Sequence, residues 1–150
     1  MALYVKKSAE IISIVLDYIA QDDIHIYSID EFFINLDPYL KTYDCTAYQL
    51  VRKIQDAITS KTGLVTTAGL SYNMLMAKVA LDNDAKKRPP FIAKWEEKDV
   101  KEKLWKITPL NKMWGISHGY ESKLNAMGIE TVGQLANCDK SLLKEKFGIM

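Results

Sequence analysis

Two short runs of β-branched and aromatic residues, Ile24-His25-Ile26-Tyr27-Ser28-Ile29 and Phe32-Phe33-Ile34-Asn35-Leu36, are separated only by the adjacent carboxylates Asp30 and Glu31. Alternation and propensity make each run a strand. The pattern reads as two strands meeting at an acidic tip, with Asp37-Pro38 ending the second. Two like charges amid apolar neighbours repel each other and resist desolvation. A divalent cation would relieve both, because hard cations select carboxylate oxygen. The alternative is a solvated turn, since Asp is a common turn residue.

Helices flank this hairpin. Ile11, Ile12, Val15, Leu16 and Ile19 recur at steps of three and four, predicting a helix from Tyr4 to about Ala20. A second is expected from Thr46 to Ser60, with Gly63 capping its end. Leu64 to Leu70 reads as a strand, and Ser71 as the N-cap of a third helix running to about Asp82. The run Ala85-Lys86-Lys87-Arg88-Pro89-Pro90 is a connection, followed by a short edge strand from Phe91 to Trp95. Beyond Trp95 only short helices are expected: Lys98–Lys106, Pro109–Met113 with Thr108 as N-cap, Gly119–Met127, Val132–Ala136 and Ser141–Phe147. The class is α+β, a small antiparallel sheet with helices on one face followed by a small all-α unit. The boundary falls near Trp95, giving units 1–95 and 96–150.

Composition bounds the function loosely. The net charge of +1 favours no partner, although eight lysines against five acids from Lys101 onward leave the C-terminal third at about +3. The apolar runs are too short to span a bilayer, and no signal-peptide pattern opens the chain. Cys45 and Cys138 are isolated, without His or Cys at metal-ligand spacing, which fits a reduced, cytoplasmic setting.

The string Tyr27-Ser28-Ile29-Asp30-Glu31-Phe32-Phe33 closely resembles the Y-S-I-D-E-x-F signature of Y-family (translesion) DNA polymerases. The resemblance continues in register. Thr62-Gly63 and Gly69-Leu70-Ser71-Tyr72-Asn73-Met74-Leu75-Met76-Ala77-Lys78-Val79-Ala80 are similar to its T-G and G-I-S-x-N-x-x-L-A-K-x-A segments. Ala85-Lys86-Lys87 is similar to its A-K-P, and Tyr4 to Ser8 to the helix start that follows its fingers. Ala80 to Lys87 and the Lys103-Leu104-Trp105 region look most like the UmuC-related (ImpB/MucB/SamB-like) branch of Gram-positive bacteria.

Such membership implies that Asp30 and Glu31 are catalytic metal ligands for Mg2+, with Mn2+ as substitute. It also implies that a lysine of the A-K-P segment helps hold the incoming triphosphate. Lys87 stands where the family has Pro, so the choice between Lys86 and Lys87 stays open. Asn73 and Lys78 read as residues of a helix polar face, and His25 as a strand surface residue. Trp95, Trp105 and Trp114 read as packing residues.

Trp114-Gly115-Ile116-Ser117-His118-Gly119, with Gly128-Ile129 beyond, resembles a helix-hairpin-helix of the Gly-Ile-Gly type, with Ser117 in place of the second Gly. Small residues there let backbone approach DNA, and amides at the next helix start bind a phosphate oxygen. Gly115, Ile116, Ser117 and Gly119 are thus the expected DNA-binding residues, in contacts independent of sequence.

Asp30 and Glu31 are too few to hold two cations. Asp23 and Asp37, seven residues from the tip, belong to the far end of the hairpin, about 23 Å away if extended. Asp82 and Asp84 have no evident route to it. The family pattern places a further Asp, a central palm strand and the fingers upstream, and a little finger downstream. The expectation is therefore a fragment, a partial palm with the start of the thumb, inactive in isolation and able to pair through open sheet edges as a homodimer. The intact protein would use primer-template DNA and dNTP in damage tolerance of the SOS type, and a sliding clamp through its C-terminal region. The competing readings are a non-catalytic DNA-binding module and another palm-type transferase or cyclase.

Overall fold

A computed structural model describes residues 1–148. The expected final unit 96–150 therefore extends two residues outside the described part. Helix α1 (Ala2–Leu16) leads through a single 3-10 turn (Gln21–Asp23) into the hairpin β1 (Ile24–Ile26) and β2 (Phe32–Ile34). The strands pair antiparallel with Ile24 opposite Ile34, His25 opposite Phe33 and Ile26 opposite Phe32. They are shorter than the sequence runs because the ladder stops before the tip, where Tyr27 and Ser28 amides both donate to the Glu31 carbonyl.

After α2 (Asp37–Leu40), helix α3 (Ala47–Thr62) begins at Thr46 with a capping box. Thr46 Oγ1 accepts from the Gln49 amide, and Gln49 Oε1 accepts from the Thr46 amide. The helix ends on Gly63 at φ +72°, the left-handed geometry that glycine adopts without strain. Apolar faces of α1 and α3 and the inner face of the hairpin enclose a first core of Ile14, Val15, Ile19, Leu50, Ile54 and Ile58.

The second strand pair departs from the antiparallel pattern. β3 (Ala68–Leu70) and β4 (Ile92–Lys94) run parallel, with Gly69 opposite Ala93. Helix α4 (Met74–Asn83) makes the crossover between them, as a parallel pair requires. β3 lies so close to α4 that a Cβ on Gly69 would stand 1.9 Å from the Ala77 carbonyl oxygen. The N-cap of α4 is Asn73, whose Oδ1 accepts from the Met76 amide at 2.8 Å. Ser71 does not cap, because its hydroxyl donates to the Trp95 carbonyl at 2.7 Å.

The remaining segments are α5 (Asp99–Glu102), α6 (His118–Asn125), α7 (Val132–Ala136) and α8 (Lys140–Phe147), with 3-10 turns at Leu104–Lys106 and Leu110–Lys112. The helix expected from Pro109 is such a turn: Thr108 provides no cap and Pro109 is itself extended. A second core runs from Met76, Val79 and Ala80 of α4 through Ala93 and Trp95 to Leu104, Leu110, Leu124 and Ile129. Apolar packing is thus continuous across residue 95. Trp95 is a core residue, 3% exposed, and its indole donates to Asp84 at 3.3 Å. Among the described residues no helix is long and apolar enough to cross a membrane.

Candidate active site and nucleic-acid interface

The hairpin presents Asp30 at its exposed tip, with Ser28 Oγ donating to Asp30 Oδ1 at 2.8 Å. Glu31 turns inward toward α4, and Lys78 Nζ donates to Glu31 Oε1 at 2.6 Å. The Lys78 side chain is 8% exposed and also contacts Asp82 at 3.0 Å. Lys86 in turn donates to Asp82 at 2.7 Å. Glu31, Lys78, Asp82 and Lys86 therefore form one line of alternating charge from the tip to the A-K-K segment.

One expectation changes here. Lys78 is not a solvated polar-face residue, because its place on α4 points it toward the hairpin. Asp82 is joined to Glu31 through the Lys78 ammonium. Burial works against charge on both residues. The Glu31 and Asp82 carboxylates nonetheless hold the Lys78 ammonium above its ordinary value, and the Lys86 and Lys78 ammoniums hold Asp82 below the usual carboxylate range.

Asp30, Glu31 and Lys86 line one cleft of about 1200 Å3, bounded by the hairpin, α3 and the Leu64–Asn73 segment. Lys87 is exposed but does not line it. The cleft also holds Gln55 and Thr66, whose Oε1 and Oγ1 are buried without a hydrogen-bond partner among the described residues. Asp23 lies at the far end of the hairpin, where its carboxylate accepts from Tyr39 and its carbonyl from the Asn35 amide. His25 is an exposed strand residue.

Carboxylate oxygens on an exposed tip suit a hard divalent cation, which one or two carboxylates can hold together with substrate phosphates. Among the described residues no three ligating side chains cluster. The tip thus supplies two donors.

The C-terminal hairpin is organised around Gly115 at φ +92°, with open space where a Cβ would stand. Ser117 is extended at φ −79° and caps α6 through a weak bond from the Tyr120 amide at 3.4 Å. A second glycine is not needed at that position. Gly115, Ser117 and Gly119 are exposed, whereas Ile116 packs against the second core. Ser117 and Gly119 border a small cavity of about 250 Å3 with Lys123 and Lys146. The sequence did not single out these two lysines. Lys123 stands four residues beyond Gly119, one turn up the same helix, but Lys146 arrives only through the packing of α8. The turn is tied to the tip by Trp114, whose indole donates to Tyr27 Oη at 3.2 Å and meets that ring edge-on at 5.7 Å.

Residues 1–82 match the impB/mucB/samB family, and residues 97–129 match the IMS family HHH motif. UvrX of Bacillus subtilis is 41% identical over 100% of this chain and 35% of its own length. The DNA repair protein homolog YobH of the same organism is 48% identical over 67% of this chain and 46% of its own length. DNA polymerase IV 2 of B. subtilis is 34% identical over 99% of this chain and 35% of its own length. The chain therefore spans about a third to just under half of the curated relatives it matches. An insertion ternary complex of Dbh DNA polymerase superposes with a TM-score of 0.79 at 22% identity, covering 98% of this chain and 41% of that one. At that identity the likeness shows the fold.

Proposed function

Because this chain belongs to the impB/mucB/samB family, we propose that it is the palm-and-thumb portion of a translesion DNA polymerase of the Y family. The observation that carries the reading is the shared cleft, which is lined by the paired carboxylates Asp30 and Glu31 together with the cation Lys86. In this reading Asp30 and Glu31 hold divalent metal, magnesium with manganese as substitute. Metal there supplies positive charge to the transferring phosphoryl group and to the attacking and leaving oxygens. Lys86 neutralises the triphosphate of an incoming dNTP. Lys87, outside the cleft, is the weaker candidate for that role.

Residues 1–95 act as partial palm and 96–150 as thumb. Gly115, Ile116, Ser117 and Gly119 set the α6 amides against a duplex phosphate, and Lys123 and Lys146 add charge at the same spot. Primer-template DNA is the partner of the whole protein, and a sliding clamp a further one. The location is cytoplasmic. Further carboxylates must come from another segment. The unpartnered Gln55 Oε1 and Thr66 Oγ1 in the cleft, together with the open edges of two two-stranded sheets, support a further strand seating there. A second copy pairing at those edges would give a homodimer.

The second reading is a DNA-binding module without catalysis, favoured by the complete C-terminal turn. Duplex binding and magnesium-dependent primer extension by the full-length protein separate the two. Loss of extension in Asp30→Ala with duplex affinity retained supports the polymerase. If Gly115→Val lowers affinity and Asp30→Ala changes nothing, the chain is a binder.

A further inference from the structure

The proposed metal ligand Glu31 already has a cation. Lys78 Nζ sits 2.6 Å from its carboxylate in a nearly closed position, so divalent metal reaching Glu31 must contend with an ammonium. A buried ammonium left without a partner would be strongly unfavourable. Lys78 avoids that outcome because Asp82 is already within 3.0 Å, one helical turn along α4. Asp82 is itself shared with Lys86, whose side chain is 48% exposed and free to leave toward solvent or an anion in the cleft. Two lysines and two carboxylates balance in the line, so a dication arriving at Glu31 shifts positive charge along it toward the exposed end.

Resting on the reading of the tip as a metal site, we infer that Lys78 is a latch: a resident counter-ion that occupies Glu31 until a divalent cation displaces it, with Asp82 as the receiver. Lys78 is then a positioning residue, touching neither substrate nor reacting atoms. Both its partners are fixed by elements that do not need to move. Glu31 is anchored at the tip by the Tyr27 and Ser28 amides on its carbonyl, and Asp82 lies on the same helix as Lys78. The exchange requires only rotation of the lysine side chain.

The test is Mn2+ binding to the full-length protein, which supplies the remaining carboxylates, followed by electron paramagnetic resonance, in the wild type, Lys78→Met, Asp82→Asn and the double variant, with Asp30→Ala as reference. Removing any charge near the tip alters affinity through its field, and such effects add across variants. The latch adds a coupling between the two sites. Lys78→Met should tighten Mn2+ by roughly threefold to tenfold. Asp82→Asn should weaken it several-fold while Lys78 is present, because the lysine then has Glu31 alone. In the Lys78→Met background the same Asp82→Asn change should leave affinity within about twofold. Equal Asp82→Asn penalties in both backgrounds, or weaker binding in Lys78→Met, would overturn the latch while leaving the metal site standing. Absence of any Mn2+ signal that Asp30→Ala removes would overturn the metal site, and the latch with it.

Discussion

Trp114 Nε1 donates to Tyr27 Oη across eighty-seven positions of sequence, at 3.2 Å and with the two rings edge-to-face. The contact joins the turn proposed to hold duplex to the strand that ends at the acidic tip. With the Lys78–Glu31 pair it connects the hairpin, which belongs to the first core, to elements built on the second. Trp114 is 36% exposed, and the edge-to-face pair adds about 1 kcal/mol beyond the burial of the rings. Trp114→Ala, which removes pair and burial together, should lower unfolding free energy by more than about 1 kcal/mol in urea titrations, and Tyr27→Phe, which keeps the ring contact, by less than half of the Trp114→Ala loss. Equal losses would mean that the hydrogen bond and not the ring packing carries the contact.

Gly69 and Gly119 should respond oppositely to alanine. At Gly69 the new methyl would meet the Ala77 carbonyl oxygen at 1.9 Å and the Leu81 amide nitrogen at 2.7 Å, both backbone atoms. Strand and helix would have to separate, at a cost of at least about 3 kcal/mol. At Gly119 the nearest atom is Ser117 Oγ at 3.9 Å, and alanine in a helix should be neutral or stabilising by up to about 1 kcal/mol. Chemical denaturation of both variants checks the contrast.

Much of this architecture is written in local sequence, and the failures have a common cause. The start of α3 near Thr46, its end at Gly63 and the acidic hairpin depend on near neighbours and were legible. Ser71 was the expected cap of α4 and Asn73 a polar-face residue, but the distant Trp95 carbonyl takes the Ser71 hydroxyl and the cap falls to Asn73. The parallel pairing of β3 with β4 and the burial of Lys78 likewise follow from long-range packing. On a helical projection Lys78 is one more polar residue, and only the approach of the hairpin turns it into the partner of Glu31. The same holds at the C-terminal turn: Gly115 could be named from the resemblance to a helix-hairpin-helix, Lys146 could not.

Asp99 sets a pH dependence. The Glu96 amide, donating at 2.7 Å, holds its carboxyl below the usual range, and Lys103 at 3.0 Å adds to this against the cost of burial. A depressed native pKa stabilises the fold fully above the unfolded-state value, and that stabilisation is lost as pH falls through the native one. Unfolding free energy should therefore decline from about pH 4 downward, and the Asp99→Asn variant should decline less steeply over the same interval. Parallel pH profiles would show that Asp99 is not the group responsible.

Lys123 and Lys146 should contribute charge without sequence preference. Replacing either with alanine should weaken duplex binding uniformly across sequences and reduce the dependence of log Kd on log salt by about one. Fluorescence anisotropy with two unrelated duplexes at several salt concentrations measures both quantities. An unchanged slope would place the phosphate elsewhere.

The most direct test of the central claim, that Asp30 and Glu31 are part of a polymerase metal site, is complementation. Primer extension should be measured with this chain alone, with an added N-terminal segment of a related polymerase, and with that segment plus the Asp30→Ala variant, each in magnesium and in manganese. Extension only in the complemented mixture, abolished by Asp30→Ala, is the predicted result. Extension that survives Asp30→Ala, or none in any mixture despite intact duplex binding, would contradict it.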